Sequence, residues 1–128
     1  MIKIVPIYAG LLAVFYCGLT VRTIRLRRIY KVALGYGSSP QLEKAMRVHG
    51  NFAEYVPLAL ILLTFLELQQ TAGWLLHAGG IFLVLGRVLH AYGVSQFKEN
   101  FRFRIAGMVQ TLTVVVVAGL IAIYNGLA

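Results

Sequence analysis

The stretch Ile105–Leu127, IAGMVQTLTVVVVAGLIAIYNGL, contains no charged residue and is apolar almost throughout. Its β-branched run, Thr113 to Val117, would favour a strand in water. In lipid, a lone strand leaves its backbone N–H and C=O groups unpaired, whereas a helix pairs them internally. A helix needs about 20 mostly apolar residues to cross a bilayer, and this stretch reaches that length. We therefore expect a transmembrane helix at about residues 105–127.

Three further apolar stretches have the length of a membrane span, at about residues 4–24, 52–68 and 73–92. Over the whole chain of 128 residues, 59% are hydrophobic and 12% are charged, and the mean hydropathy is +0.79. A soluble domain of this size cannot bury so much apolar surface. The sequence therefore predicts an all-α integral membrane protein, with one four-helix domain formed by residues 1–128. Residues 41–50 resemble a helical approach to the second span.

Basic residues are distributed unevenly among the three connections. The second connection, Gln69–Thr71, has none. The first connection and its flanks carry seven basic residues: Arg22, Arg25, Arg27, Arg28, Lys31, Lys44 and Arg47. The third carries Lys98, Arg102 and Arg104. The positive-inside rule then predicts a cytoplasmic location for the first and third loops and places both termini outside. Membrane orientation and anionic headgroups account for the net charge of +8, so no nucleic-acid partner is expected.

Glu54, His77, Arg87 and His90 are ionisable residues inside the apolar spans. Such a residue costs roughly 2.5–3.5 kcal/mol on insertion scales, so each one requires a physical reason. Glu54 and Arg87 each lie about 20 Å along their helices from the same short outer turn. Because these two helices are antiparallel neighbours, we expect a Glu54–Arg87 ion pair nearer the cytoplasmic end. His77 lies near the outer end of its span, where we expect an interfacial or packing role.

The spacing of these polar residues places them on shared helix faces. Arg47, Asn51 and Glu54 follow an i, i+4, i+7 pattern on the second helix, and Arg87 and His90 lie three residues apart on the third. Residues with these spacings lie on one side of a helix. The second and third helices therefore each present a polar stripe.

The first and fourth helices also carry basic residues at the predicted cytoplasmic end, where Arg25 ends one span and Arg104 begins another. One structural ion pair would not require all four helices to do so. A basic, partly desolvated pocket with one carboxylate suits a small anion that also carries an amine. An arginine facing a thiol would favour the nucleophilic thiolate. The histidines are too scattered to predict a metal site.

Several segments together resemble one family of membrane proteins. Arg47–Pro57, RVHGNFAEYVP, resembles the second-helix signature of the MAPEG family, the membrane-associated proteins in eicosanoid and glutathione metabolism. Val21–Arg28, VRTIRLRR, is similar to the end of that family's first helix, and Gly86–His90, GRVLH, is similar to its third-helix motif. Arg104 stands where the family's fourth helix begins. The resemblance covers nearly the whole chain in order and is closest to compact bacterial members.

The resemblance implies a homotrimer in a bacterial inner membrane, with glutathione bound between neighbouring subunits near the cytoplasmic face. It implies a glutathione transferase or peroxidase that acts on lipophilic electrophiles or lipid hydroperoxides. By position, Arg104 would stabilise the glutathione thiolate. The residues that would bind or orient glutathione are Arg25, Asn51, Glu54, Arg87 and His90, with Arg47 and Tyr55 as weaker candidates.

Three positions depart from the prostaglandin-synthase-like members of the family. Gly50 replaces an arginine, Val94 replaces a tyrosine, and Ile105 replaces the serine that follows the catalytic arginine. We therefore do not expect prostaglandin synthase activity.

Two other functions remain open on the sequence alone. A non-catalytic lipid-binding or scaffold protein of the same fold would use the polar cluster only for structure. A small transporter is disfavoured, because the four spans contain no internal repeat and no pair of broken helices.

Overall fold

The computed structural model describes all residues from Met1 to Ala128 and consists of four α-helices. They are α1 (Val5–Tyr30), α2 (Pro40–Leu68), α3 (Gly73–Ser95) and α4 (Phe101–Leu127). Each helix is long and apolar enough to cross a membrane, and there is no strand. The predicted all-α transmembrane bundle is confirmed, including a helical conformation for the β-branched run in α4.

The helices continue beyond the apolar spans at the end of the bundle where residues 31–39 and 96–100 connect them, which we call the basic end. Here α2 begins at Pro40, so the expected helical approach of residues 41–50 belongs to the same helix as the second span. Ser39 caps it, because its hydroxyl accepts a hydrogen bond from the Leu42 backbone N–H at 3.2 Å. The polar groups of the basic end therefore lie on regular helices.

The bundle core is narrow and its outer surface is apolar. Only 26 of the 128 residues are buried, including Leu12, Phe52 and Leu83. Large apolar side chains such as Leu58 and Val116 remain exposed. A soluble monomer rarely exposes a contiguous apolar surface of this extent, so this surface faces lipid or another protein chain.

Glycines allow α3 and α4 to approach closely near the basic end. A Cβ atom on Gly93 would lie 2.5 Å from the backbone nitrogen of Arg104 and 2.8 Å from the carbonyl oxygen of Asn100. A Cβ atom on Gly107 would likewise overlap the backbone of His90. The first turns of α4 therefore lie directly against the part of α3 that carries His90.

At the opposite end of the bundle, the side chain of Glu67 caps α1. Its carboxylate accepts hydrogen bonds from the backbone N–H groups of Lys3 and Ile4, both at 2.6 Å, and of Val5 at 2.8 Å. The first N–H groups of a helix have no partner within the helix and favour a negative charge. Glu67 thus joins the start of α1 to the end of α2.

Candidate functional site

A polar cavity of about 340 Å³ opens at the basic end of the bundle. Its walls come from α2, from α3, from the connection before α4 and from the first turn of α4. We call this opening the polar cavity. It is lined by eight residues: Glu43, Lys44, Arg47, Asn51, His90, Val94, Glu99 and Arg104. Four residues expected from the sequence therefore meet there: Arg47, Asn51, His90 and Arg104.

Arg87 lies behind the wall of the cavity. Its side chain is only 2% exposed, and its Nη1 donates a hydrogen bond to Asn51 Oδ1 at 2.6 Å. Nη2 lies 3.4 Å from the sulfur of Met108, and Nε has no hydrogen-bond partner. Because Asn51 uses its oxygen to accept from Arg87, its amide N–H groups remain available to donate to a ligand. Arg87 therefore orients a cavity residue without lining the cavity.

The expected Glu54–Arg87 ion pair is wrong for the single chain. Glu54 is exposed and forms no salt bridge, while Arg87 bonds to Asn51 instead. Arg87 bonds to Asn51, which lies within one turn of Glu54, but similar depth does not set the rotation of α2. The buried face of α2 passes through Phe52 and Val56, and Glu54 lies about 200° around the helix from each. Its side chain consequently points away from the buried core of the bundle.

Arg25 and Tyr55 are two further expected residues that the single chain does not bring to the cavity. Arg25 is exposed on α1 and lines a shallow groove formed by that helix alone, next to Arg22. Tyr55 is partly buried on α2 and is absent from the cavity lining. Together with Glu54, these residues lie on outer parts of α1 and α2.

Arg104 enters the cavity from a well-fixed helix start. The Asn100 side chain accepts hydrogen bonds from the backbone N–H groups of Arg102 and Phe103, at 3.1 and 3.4 Å. The backbone N–H of Arg104 donates to the Asn100 carbonyl at 3.1 Å. The guanidinium carbon lies 5.9 Å from the ring centre of Phe101, within reach of a cation–π contact. The charge of Arg104 is therefore held at the N-terminal end of α4, where the helix dipole also favours an anion.

Three charged lining residues were missed in the sequence: Glu43, Lys44 and Glu99. Glu43 and Lys44 precede Arg47 by four and three residues, so helical spacing was an available signal once α2 was known to begin at Pro40. Glu99 lies in a connection whose conformation has no periodic signal. Its Oε1 lies 2.5 Å from Arg104 Nη1, in the only salt bridge of the chain.

Lys44 fixes the connection that carries Glu99. Its Nζ donates hydrogen bonds to the carbonyl oxygens of Gln96 at 2.7 Å and Phe97 at 3.0 Å. These carbonyls follow the end of α3, where a positive charge is favoured. The third connection is thereby tied to α2 across the cavity.

His77 lies far from this cavity, as expected. Its Nδ1 is 2.7 Å from the hydroxyl oxygen of Tyr8, and the two rings meet edge to face with centres 5.8 Å apart. The contact connects α1 and α3 near the end opposite the basic end, which is a packing role.

The polar cavity carries three basic and two acidic side chains beside His90 and Asn51. With His90 neutral, its formal charge is positive. Basic groups on two sides can hold anionic groups of one ligand, and a carboxylate can accept an ammonium group. The cavity is therefore suited to a small zwitterionic molecule that bears more negative than positive charge.

The sequence motifs on these helices agree with a family match. The model of the MAPEG family matches residues 5–123. The chain belongs to the MAPEG family. It is also similar to the inner membrane protein YecN of two Escherichia coli strains, with 39% identity over 105 residues, which is 82% of this chain and 79% of the relative. This MAPEG chain thus carries Arg47, Asn51, His90 and Arg104 at one cavity within the family region.

Proposed function

We propose that this MAPEG protein binds glutathione in the polar cavity, holds its sulfur as a thiolate beside Arg104, and transfers it to lipophilic electrophiles. The observation that carries the proposal is the convergence of Arg47 and Asn51 from α2, His90 from α3 and Arg104 from α4 on one cavity. A purely structural cluster would be expected to pair its charges internally. Here Arg47 forms no salt bridge and no side-chain hydrogen bond with the rest of the chain.

The chemistry of glutathione matches the lining groups. Glutathione has two carboxylates, one ammonium group and one thiol. Arg47 and the amide N–H groups of Asn51 can donate to a carboxylate, and Glu43 can accept from the ammonium group. A guanidinium beside the thiol lowers the thiol pKa, so the proton leaves to solvent and the thiolate remains at Arg104.

Two reactions follow from a thiolate at this position. With an electrophile, the sulfur forms a bond to carbon and the leaving group departs with its electron pair. With a lipid hydroperoxide, the sulfur attacks the terminal oxygen and the O–O bond breaks, which gives a sulfenic acid and an alkoxide. The alkoxide takes a proton from solvent and becomes an alcohol. A second glutathione then converts the sulfenic acid to a disulfide and water. Both substrates dissolve in lipid and reach the bundle through its apolar surface.

We further propose that the chain assembles as a homotrimer in a bacterial inner membrane. Four expected glutathione-binding residues do not line the cavity. Arg87 lies behind its wall, and the other three, Arg25, Glu54 and Tyr55, lie on outer parts of α1 and α2. A neighbouring copy against these helices would bring them to a shared site. The name of the Escherichia coli relatives, inner membrane protein, supports this membrane, and the basic loops support a cytoplasmic position for the cavity.

Turnover by the purified protein tests the proposed reaction. We expect the protein in mild detergent to conjugate glutathione to 1-chloro-2,4-dinitrobenzene or to reduce cumene hydroperoxide. Arg104→Ala should lower the rate at least about tenfold, since a charge-assisted contact to the reacting sulfur is lost. Arg102→Ala is the matched control, because Arg102 is exposed and its side chain has no hydrogen bond. Equal rates in both variants would show that Arg104 has no role in the reaction.

A further inference from the structure

The carboxylate of Glu99 occupies the position beside Arg104 where an anionic ligand would bind. Both residues line the polar cavity, and their side chains are 22% and 43% exposed. Solvent and small molecules can therefore reach the pair. A thiolate arriving at Arg104 meets a guanidinium that already has a carboxylate partner.

We propose that Glu99 is an internal counter-ion, which binds Arg104 while the cavity is empty and is displaced by the anionic group that enters. This inference rests on the proposed function, in which the entering group is the glutathione thiolate. A guanidinium has five N–H donors in a planar fork, and Glu99 receives a hydrogen bond only from Nη1. The remaining donors can engage the incoming anion before Glu99 leaves.

The structure allows Glu99 to leave without unfolding the start of α4. Asn100, not Glu99, caps the helix through its side chain, and its backbone N–H donates to the Gly93 carbonyl at 2.9 Å. Lys44 holds the preceding part of the connection. The Glu99 carboxylate has no hydrogen bond other than the one from Arg104. The salt bridge with Arg104 is therefore the only polar contact that the Glu99 carboxylate would lose when a ligand replaces it.

Because the Glu99–Arg104 pair is partly exposed to solvent, its competition with an anionic ligand should weaken ligand binding at Arg104 by only a small factor. We expect Glu99→Gln to lower the glutathione concentration at half-saturation of the thiolate signal by about threefold. Glu43→Gln removes the same charge from the same cavity, but Glu43 forms no salt bridge or hydrogen bond with Arg104. Because Glu43 is also the proposed acceptor for the ammonium group, this control applies to the measurement without glutathione, where comparison of the two variants separates loss of the Glu99 contact from a general rise in positive charge.

The availability of Arg104 can also be measured without glutathione. Phenylglyoxal modifies guanidinium groups, and peptide mass spectrometry after a timed reaction gives the rate at Arg104. We expect Glu99→Gln to react about threefold faster than the wild type at Arg104, and Glu43→Gln to react more slowly than Glu99→Gln. Circular dichroism of each variant checks that the helices are intact.

The two readouts distinguish failure of this inference from failure of the proposed function. If the labelling rate at Arg104 is unchanged in Glu99→Gln, or rises equally in both variants, Glu99 is not the counter-ion. If the labelling rate at Arg104 rises only in Glu99→Gln while no form of the protein binds glutathione, Glu99 is the counter-ion of Arg104 but glutathione is the wrong ligand. If glutathione binds but Glu99→Gln does not shift the half-saturation, displacement by the thiolate is excluded.

Discussion

At the scale of single residues, Asn51 connects the bundle core to the cavity. It accepts a hydrogen bond from the buried Arg87 and also lines the cavity. A buried guanidinium without a carboxylate needs such an acceptor, because an unsatisfied charged donor in a low-dielectric interior is costly. The same contact turns the amide nitrogen of Asn51 toward other partners. One side chain therefore contributes both to stability and to the proposed ligand binding.

The substitution Asn51→Asp should separate these two roles. Aspartate keeps an oxygen acceptor for Arg87 and adds the opposite charge, so the free energy of unfolding should be retained. It also replaces the N–H donors with an anionic oxygen, so glutathione affinity should fall about tenfold or more. Thermal unfolding followed by circular dichroism and a glutathione titration measure the two effects. Wild-type affinity in this variant would show that Asn51 does not donate to the ligand.

The control for that experiment is Asn51→Ala. It leaves Arg87 without its acceptor and should lower the free energy of unfolding by about 1–3 kcal/mol. Equal stability of the alanine and aspartate variants would mean that the Arg87 contact contributes little.

Motif spacing brought some of the expected residues to the cavity but gave one wrong ion pair, for a physical reason. The stripe of Arg47 and Asn51 does line the cavity, because helical periodicity fixes which residues share a face. Periodicity does not fix how a helix rotates against its neighbour, so the same stripe led to a wrong pairing for Glu54. Glu99 lies in a connection without periodicity, and only the three-dimensional structure brings it to Arg104.

At the scale of elements, hydropathy located all four helices but not their ends at the basic end. The apolar stretch of the sequence ends where the helix leaves the membrane core. The backbone hydrogen bonds of α2, however, continue beyond that point to the Ser39 cap. The approach of α3 to α4 was also not predicted at Gly93. The absence of a side chain there lets the backbone around Asn100 and Arg104 lie against α3. This contact positions the start of α4 beside His90.

Gly93→Ala should therefore displace the first turn of α4. The added Cβ meets backbone atoms of Asn100 and Arg104, which cannot rotate away as a side chain can. We expect a loss of about 1–3 kcal/mol in the free energy of unfolding, together with a weaker thiolate signal. Gly119→Ala, on α4, is the control, since nothing lies within 4 Å of its Cβ position. Equal stability in both variants would contradict the proposed close contact.

At the scale of the whole molecule, the single chain leaves a charged residue on an outer surface at membrane depth. Glu54 is exposed on α2 beside apolar residues such as Leu58 and Ile61. An ionised side chain facing lipid is costly, so a basic partner from a neighbouring copy is expected. The exposed Arg25 has the required charge. This complementarity supports the proposed trimer, in which the number of copies is what the family resemblance implies.

Native mass spectrometry of the detergent-solubilised protein tests the assembly. We expect a mass of three chains for the wild type and partial dissociation for Glu54→Gln, which loses the charge but keeps the size of the side chain. Glu43→Gln, on the same helix but inside the cavity, should keep the trimer. A monomer in the wild type would contradict the assembly and the shared glutathione site.

The claim that unites these scales is that Arg104 holds a glutathione thiolate in the polar cavity. An ultraviolet difference titration of the wild-type protein with glutathione near neutral pH tests it most directly. We expect a saturable thiolate absorbance that is strongly reduced in Arg104→Ala and retained in Arg102→Ala. Glutathione binding without thiolate absorbance would contradict activation by Arg104, and the absence of any binding would make the polar cluster structural.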